Sequence, residues 1–268
     1  VQNNIKNIII SSIGNYLPKK CVQNSELPKE LDTNHEWIYQ RTGIKQRFIS
    51  SDEENTSYMG AEAAKTCLEK IKFNPNDLDL IIVATTTPNK VFPGCATQIQ
   101  SLIGAKNAFC FDLQAVCSGF LFAYYSAIQI MNSDPRIKNA LVIGSEQMSR
   151  ILNWSDRSTC VLFGDGAGAA LLSKTVDKTR GYLDGIMRSD GSLGSILHTE
   201  HDSKLYMEGR EVFKQAISNM KSVVSDLCDQ NQINPQEIDH VIIHQANIRI
   251  LEQISEHLKL DQKKFWTN

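Results

Sequence analysis

A ten-residue pattern occurs twice in this chain at a constant offset of 160 residues. Asn74-Pro75-Asn76-Asp77-Leu78-Asp79-Leu80-Ile81-Ile82-Val83 aligns with Asn234-Pro235-Gln236-Glu237-Ile238-Asp239-His240-Val241-Ile242-Ile243. Each copy reads as an Asn-Pro turn, an acidic loop and a continuous apolar strand of the kind buried on both faces. A helical stretch precedes each, residues 58–71 in the first and 212–230 in the second. Helices alternating with apolar strands imply an α/β protein with a largely parallel sheet. The repetition implies two related halves, residues 1–175 and 176–268, packed on each other with pseudo-symmetry.

The remaining pattern fills in that frame. Strands are expected over 5–13, 107–113, 139–146 and 166–173, with residues 181–188 opening the second half. Short helices are expected over 95–103, 120–128 and 248–258. The run Gly164-Asp165-Gly166-Ala167-Gly168 lacks the lysine and spacing of a phosphate-binding loop and reads as a tight turn entering a strand.

Between the strand at 107–113 and the helix at 120–128 lies Gln114-Ala115-Val116-Cys117-Ser118-Gly119. Cys117 therefore stands where a strand hands over to a helix, among small residues. A helix N-terminus carries unpaired N–H groups and partial positive charge, which favour a thiolate and an adjacent oxyanion. That suits acyl transfer to sulfur. A free cysteine also serves as a small buried hydrophobe, and on this segment alone both readings stand.

The second copy of the repeat runs into His244-Gln245-Ala246-Asn247 before its helix. Ligands of α/β sheets gather at the carboxyl ends of strands, and Cys117 and His244 each occupy one such end. Pseudo-symmetric packing would bring them to one pocket, where an imidazole can accept a proton or donate to a developing enolate oxygen. A satisfied structural histidine is the competing reading. His240 and His244 would lie roughly 13 Å apart on a strand, too far to chelate one ion. His198 and His201 lack partner ligands at metal spacing and read as solvated.

Composition excludes other classes. Apolar residues at 41% and charged residues at 22% describe an ordinary globular chain. No apolar run approaches the roughly 18–20 residues that span a bilayer, and the first residues lack the blocks of a signal peptide. Seven cysteines without a C-x-x-C pair suit reduced thiols in the cytoplasm better than disulfides or zinc. A formal charge of −2 with no basic run argues against nucleic acid.

Several segments, in order, resemble the β-ketoacyl-[acyl-carrier-protein] synthase III family, whose members have a thiolase-like fold. They are Glu36-Trp37-Ile38 with Arg41-Thr42-Gly43-Ile44, Ala84-Thr85-Thr86-Thr87-Pro88, Phe92-Pro93-Gly94-Cys95-Ala96-Thr97-Gln98, and residues 112–120. Phe163-Gly164-Asp165-Gly166-Ala167-Gly168-Ala169, Met207-Glu208-Gly209-Arg210-Glu211-Val212-Phe213 and His244-Gln245-Ala246-Asn247 complete the set. The resemblance implies a decarboxylative condensation of an acyl-CoA primer with malonyl-acyl carrier protein, starting type II fatty acid synthesis. Coenzyme A thioester is then a substrate, and no metal, nicotinamide or pyridoxal is implied.

By the same resemblance Cys117 would accept the acyl group and His244 would stabilise the enolate. Trp37 would stack on the adenine of coenzyme A with Arg157 on its other side. Arg41, Thr42 and Gly209 would lie along the coenzyme path and Asn247 would line its pantetheine tunnel. Phe92 would come from a second copy in a homodimer and cap the primer pocket. Lys214 and Arg249 would meet the acidic carrier protein.

The chain departs from the family pattern in two ways. The Gly-Asn-Thr-Ser segment with a third catalytic residue, and the glycine-rich loop after it, do not occur within these 268 residues, so the second half is expected to be incomplete. The stretch between Gly194 and Met207 is shorter than the family's. A longer natural chain or a degraded homologue would each account for this, and the bare sheet edges favour the longer chain. A non-decarboxylating acyltransferase of the same fold, and a catalytically dead acyl-CoA-binding homologue, are the alternative functions.

Overall fold

The computed structural model describes residues 7–177, 179–201 and 203–267. It divides into two compact units, each drawn from three stretches of chain. The first comprises Val1–Cys21, Phe48–Ser149 and Gly164–Asp184; the second comprises Val22–Arg47, Arg150–Phe163 and Gly185–Asn268.

The first unit is built on five strands: β1 (Ile8–Tyr16), β4 (Leu80–Ala84), β5 (Phe109–Leu113), β6 (Asn139–Gln147) and β7 (Asp165–Lys174). Two further strands, β2 (Lys20–Gln23) and β3 (Gln46–Ile49), pair separately. The large sheet has the order β1-β7-β6-β4-β5. β4 runs parallel to β5 and β6, whereas β7 runs antiparallel to both β6 and β1. The sheet is thus mixed, not largely parallel. Parallel strands need a long crossover, which helices supply between β4, β5 and β6. The step from β6 to β7 passes through a loop excursion with no such helix and the chain returns in the opposite sense. The strand expected over 5–13 is found from Ile8 to Tyr16; residues 5 and 6 lie outside the described residues.

β4 shows why the repeat is apolar. Its five residues are all buried, and their period-2 alternation feeds two cores. Ile81 and Val83 pack with α2 (Thr56–Glu69) and α3 (Cys95–Ile103) on one face. Leu80, Ile82 and Ala84 pack with α4 (Gly119–Ser133) on the other. Each large apolar side chain so buried contributes about 1.5–3 kcal/mol. Glu54, at the start of α2, is buried but well satisfied: it accepts from Tyr16 Oη at 2.7 Å, Lys19 N at 3.0 Å and Ser51 N at 3.0 Å.

The second unit holds α1 (His35–Thr42), the two-residue strands β8 (Leu197–His198) and β9 (Tyr206–Met207), α5 (Gly209–Asn231) and α6 (Ile248–Leu258). α5 and α6 enclose Val241, Leu251, Ile254 and Phe265 in one core. The repeat holds locally in both units. Asn74 accepts from Asn76 N at 3.1 Å and Asn234 from Gln236 N at 3.0 Å, each opening a 3-10 turn with proline at its start. Beyond that turn the copies diverge. The strand expected at 241–243 is reduced to one parallel bridge from Val241 to Phe265, and Ile242 is 78% exposed. A strand exists only through its neighbours; β4 has two, and this segment has one isolated contact among the described residues. Residues 181–188 form no strand either. Tyr182 instead donates its N–H to Ile8 O and is buried in the first unit.

Candidate active site

The cysteine segment folds as its spacing predicts, with one additional feature. β5 ends at Leu113, and Val116–Ser118 form a single 3-10 turn that runs into α4. Val116, a β-branched residue, has φ +47°, in the left-handed region that such residues avoid. Strain of this kind persists only where the surroundings over-determine it. The turn closes through Ser118 N to Ala115 O at 3.1 Å. Gly119 is buried, and a Cβ there would lie 3.2 Å from Ala84 Cβ, so the helix start sits close over β4.

Cys117 is exposed to solvent at the head of α4. Desolvation by the surrounding protein nevertheless pushes its thiol pKa up; its own backbone N–H works against this, and the Glu146 carboxylate adds to it. The thiol is therefore protonated near pH 7. The first unit holds two carboxylates close to this turn. Asp112 caps α3, accepting from Cys95 N at 2.7 Å and Ala96 N at 2.6 Å. Glu146, at the end of β6, accepts from Thr85, Thr86 and Thr87. Phe92 lies in an exposed loop before α3 and is 84% exposed. Asp165 begins β7 inside the glycine run and accepts from the N–H and hydroxyl groups of Ser50 and Ser149, so that run carries a structural tie and continues as strand.

The second unit gathers the coenzyme candidates. Trp37 lies on α1 under two guanidinium groups: Arg41 Cζ is 4.4 Å and Arg157 Cζ 5.2 Å from the ring centroid. Both are within cation–π range. Arg157 Nη1 also reaches Asp32 Oδ2 at 3.2 Å and donates to the Asp32 carbonyl. These groups border a cavity of about 450 Å³ lined by Lys29, Asp32, Thr33, Asn34, Trp37 and Arg157. A flat base held between Trp37 and Arg157 needs about 7 Å, two contact distances of about 3.5 Å. Arg157 must therefore withdraw by about 2 Å to admit one, at the cost of an exposed ion pair worth about 0–1 kcal/mol.

Thr42 is buried and its hydroxyl is occupied, donating to Ile38 O at 2.7 Å and accepting from Ile44 N at 3.0 Å. The end of α1 meets the start of α6: Arg249 Nη2 donates to Gln40 O at 3.1 Å. Asn247 caps α6 by accepting from Arg249 N at 2.9 Å. Gly209 opens α5, and Lys214 on the same helix is exposed with Glu211 at 3.8 Å. His244 precedes α6, exposed, and its ring takes no hydrogen bond from a described residue; desolvation lowers its pKa, so the ring is neutral near pH 7. His240 packs edge-on against Trp266, and no group of metal-binding side chains occurs among the described residues. Lys29, Asp32, Thr33, Asn34 and Glu146 were not predicted from sequence. Glu146 had a readable signal, a carboxylate closing the apolar strand that starts at Asn139.

A sheet clad by helices on both faces, with a cysteine at a strained strand-to-helix turn, defines a thiolase-like acyltransferase. Solved structures agree. The 3-oxoacyl-[acyl-carrier-protein] synthase III of Aquifex aeolicus VF5 superposes with a TM-score of 0.93 at 42% identity, covering 97% of this chain and 84% of that one. The enzyme of Thermus thermophilus gives 0.91 at 33% identity, covering 97% and 84%. Family models for 3-oxoacyl-[acyl-carrier-protein (ACP)] synthase III and for its C-terminal part match residues 111–191 and 228–268. The β-ketoacyl-[acyl-carrier-protein] synthase III of Ehrlichia canis (strain Jake) is 46% identical over 267 residues, 97% of this chain and 83% of that protein. That of Wolbachia pipientis wMel is 47% identical over 261 residues, 95% and 82%. The chain belongs to the β-ketoacyl-[acyl-carrier-protein] synthase III family. Its activity is that family's acyl transfer, the condensation that initiates type II fatty acid synthesis.

Proposed function

We propose that Cys117 carries the acyl group in a two-stage reaction, a reading supported above all by its place on the strained turn at the head of α4. In the first stage the Cys117 sulfur attacks the thioester carbonyl of an acyl-CoA. The carbon–sulfur bond to coenzyme A breaks, and free coenzyme A leaves with a proton. The N–H groups at the start of α4 suit the oxyanion of that step. Because the thiol pKa is raised, a base must take its proton, and a neutral His244 has the right protonation state.

In the second stage malonyl-acyl carrier protein loses carbon dioxide, and His244 donates a hydrogen bond to the enolate oxygen. The enolate carbon attacks the acyl-Cys117 carbonyl, and a β-ketoacyl thioester leaves as the cysteine sulfur is released. Ping-pong kinetics follow from the covalent intermediate. Trp37, Arg41 and Arg157 bind the nucleotide of coenzyme A, with Thr42, Asn247 and Gly209 along the path to the thioester. Lys214 and Arg249 meet the acidic carrier protein. Two copies pair, each lending Phe92 to the other's primer pocket. This is supported by the open edge of β5, whose Phe109 and Phe111 are exposed, as is Phe92. A cytoplasmic location accords with seven free cysteines. No helix of the described residues is long and apolar enough to cross a membrane.

Incubation with radiolabelled acetyl-CoA followed by peptide mapping tests the assignment. Label on the Cys117 peptide, lost in Cys117→Ala, is expected; label retained in that variant overturns it.

A further inference from the structure

The loops that follow β4, β5 and β6 are fastened to one another at a single carboxylate. Glu146 Oε1 accepts from Thr86 N at 2.8 Å. Its Oε2 accepts from Thr87 N at 3.1 Å, from the Thr87 hydroxyl, and from the Thr85 hydroxyl at 3.4 Å. The Thr87 hydroxyl in turn accepts from Gln147 N at 2.7 Å, and that of Thr85 accepts from Thr87 N at 3.2 Å. Both hydroxyls are thereby oriented to donate. Every partner of Glu146 in this cluster donates to it, which favours the ionised carboxylate against the burial that pushes its pKa up.

The same threonine loop grips the segment that bears the nucleophile. Thr86 Oγ1 accepts from Gln114 Nε2 at 3.0 Å, and Thr85 N donates to Leu113 O at 3.1 Å. Gln114 stands three residues before Cys117 and two before the left-handed Val116. The backbone bonds of this turn, from Ser118 N to Ala115 O and from Gly119 N to Val116 O, do not reach Gln114. The strained φ is held by the turn's own two bonds, by the tie from Gln114 through Thr86 to Glu146, and by the close seat of Gly119 on Ala84.

We infer that Glu146 is a positioning residue for Cys117, holding the strained turn through Thr86 and Gln114 so that the sulfur stays aligned for acyl transfer. The inference rests on Cys117 being the acylated residue. The electrostatics argue against thiol activation as the role of Glu146. Its charge raises the Cys117 and Cys95 thiol pKa values and so opposes the thiolate. Asp112, the other carboxylate near Cys95, is tied to the start of α3.

The test separates position from charge. In Glu146→Gln the first-turnover rate of Cys117 acetylation by acetyl-CoA is expected to fall about 10- to 100-fold, the range that a misplacement near 1 Å produces. KM for acetyl-CoA stays within twofold. The pH midpoint of Cys117 alkylation by iodoacetamide moves lower in the same variant, because the neighbouring negative charge is gone. General loosening of the fold would also lower the alkylation midpoint, by relieving the desolvation of Cys117, so a second variant carries the discrimination. Thr86→Val keeps the backbone donor to Glu146 and removes only the acceptor for Gln114. It is expected to slow acylation with the alkylation midpoint unchanged, and it serves where Glu146→Gln does not fold. An unchanged acylation rate in either folded variant, or an unmoved alkylation midpoint in Glu146→Gln, overturns the inference. Absence of label on Cys117 in the unsubstituted protein strikes instead at the assignment of the nucleophile.

Discussion

Trp37→Ala is the substitution whose effect on substrate binding can be worked most directly from the geometry. The indole lies 4.4 Å from Arg41 Cζ and 5.2 Å from Arg157 Cζ and forms one wall of the 450 Å³ cavity. Stacking of a base on an aromatic face contributes about 1–3 kcal/mol. At 1.4 kcal/mol per tenfold, its loss raises KM for acyl-CoA by about 5- to 150-fold. Each cation–π contact adds about 0.5–1 kcal/mol at an exposed site, and its loss frees an arginine that the ligand must then order.

In the proposed binding mode Trp37 meets the adenine, which is distant from the reacting thioester within coenzyme A itself, so the lost interaction is one that substrate and transition state share. The expected signature is a raised KM with kcat held within twofold. Initial rates over a range of acetyl-CoA, against the same assay with an acetyl-pantetheine thioester lacking the nucleotide, provide the measurement. The truncated donor should show no difference between Trp37→Ala and the unsubstituted protein. Trp37 also packs against a core containing Leu27, Leu31 and Ile38, so a melting curve must show the variant folded. Trp37→Phe, which keeps a smaller ring face, should fall between the two. A KM within twofold in folded Trp37→Ala, or an equal loss with the truncated donor, refutes the assignment of this wall to the base.

Glu54 predicts an acid-dependent stability. Burial opposes its ionisation, but the donors Ser51 N, Tyr16 Oη and Lys19 N overcome that and hold its pKa at about 2, below the ordinary 4.5. The folded pKa lies below the unfolded one, so the stabilisation is present above about pH 4.5 and is lost as pH falls toward 2. Glu54→Gln should cost about 2–3 kcal/mol at pH 7 in urea denaturation, with the deficit shrinking toward pH 2; a deficit that does not change with pH refutes it. For the open β5 edge, Phe111→Glu should weaken self-association about 30-fold, as loss of a central aromatic anchor does. Sedimentation showing the unsubstituted protein monomeric, or the variant equally associated, counts against pairing along that edge.

Local signals in the sequence placed most helices closely, although α4 runs five residues past its expected end and α1 was not read as a helix. α3 and α6 begin and end where the pattern puts them: Gly104 in the left-handed region closes α3 and the Asn247 side chain caps the start of α6, both within one turn. Both Asn-Pro turns and the cysteine hand-over are local in the same sense. The sheet was less legible. The antiparallel sense of β7 and the failure of residues 241–243 to form a strand depend on neighbours distant in sequence, which an apolar run does not specify.

What the sequence determined by itself is the chemistry available and the short-range structure that displays it: a cysteine before a helix, a histidine before another, a tryptophan one turn from an arginine. Tertiary structure decided which charges serve those groups. Asp112 finds its donors 17 residues away on α3, Glu146 meets the threonines about 60 residues back, and Arg157 reaches across 125 residues to Asp32. A cap or a turn is closed by bonds within a few residues and can be read from their order. A carboxylate's partners are chosen by the packing of strands and helices, and only the folded chain brings them within hydrogen-bonding distance.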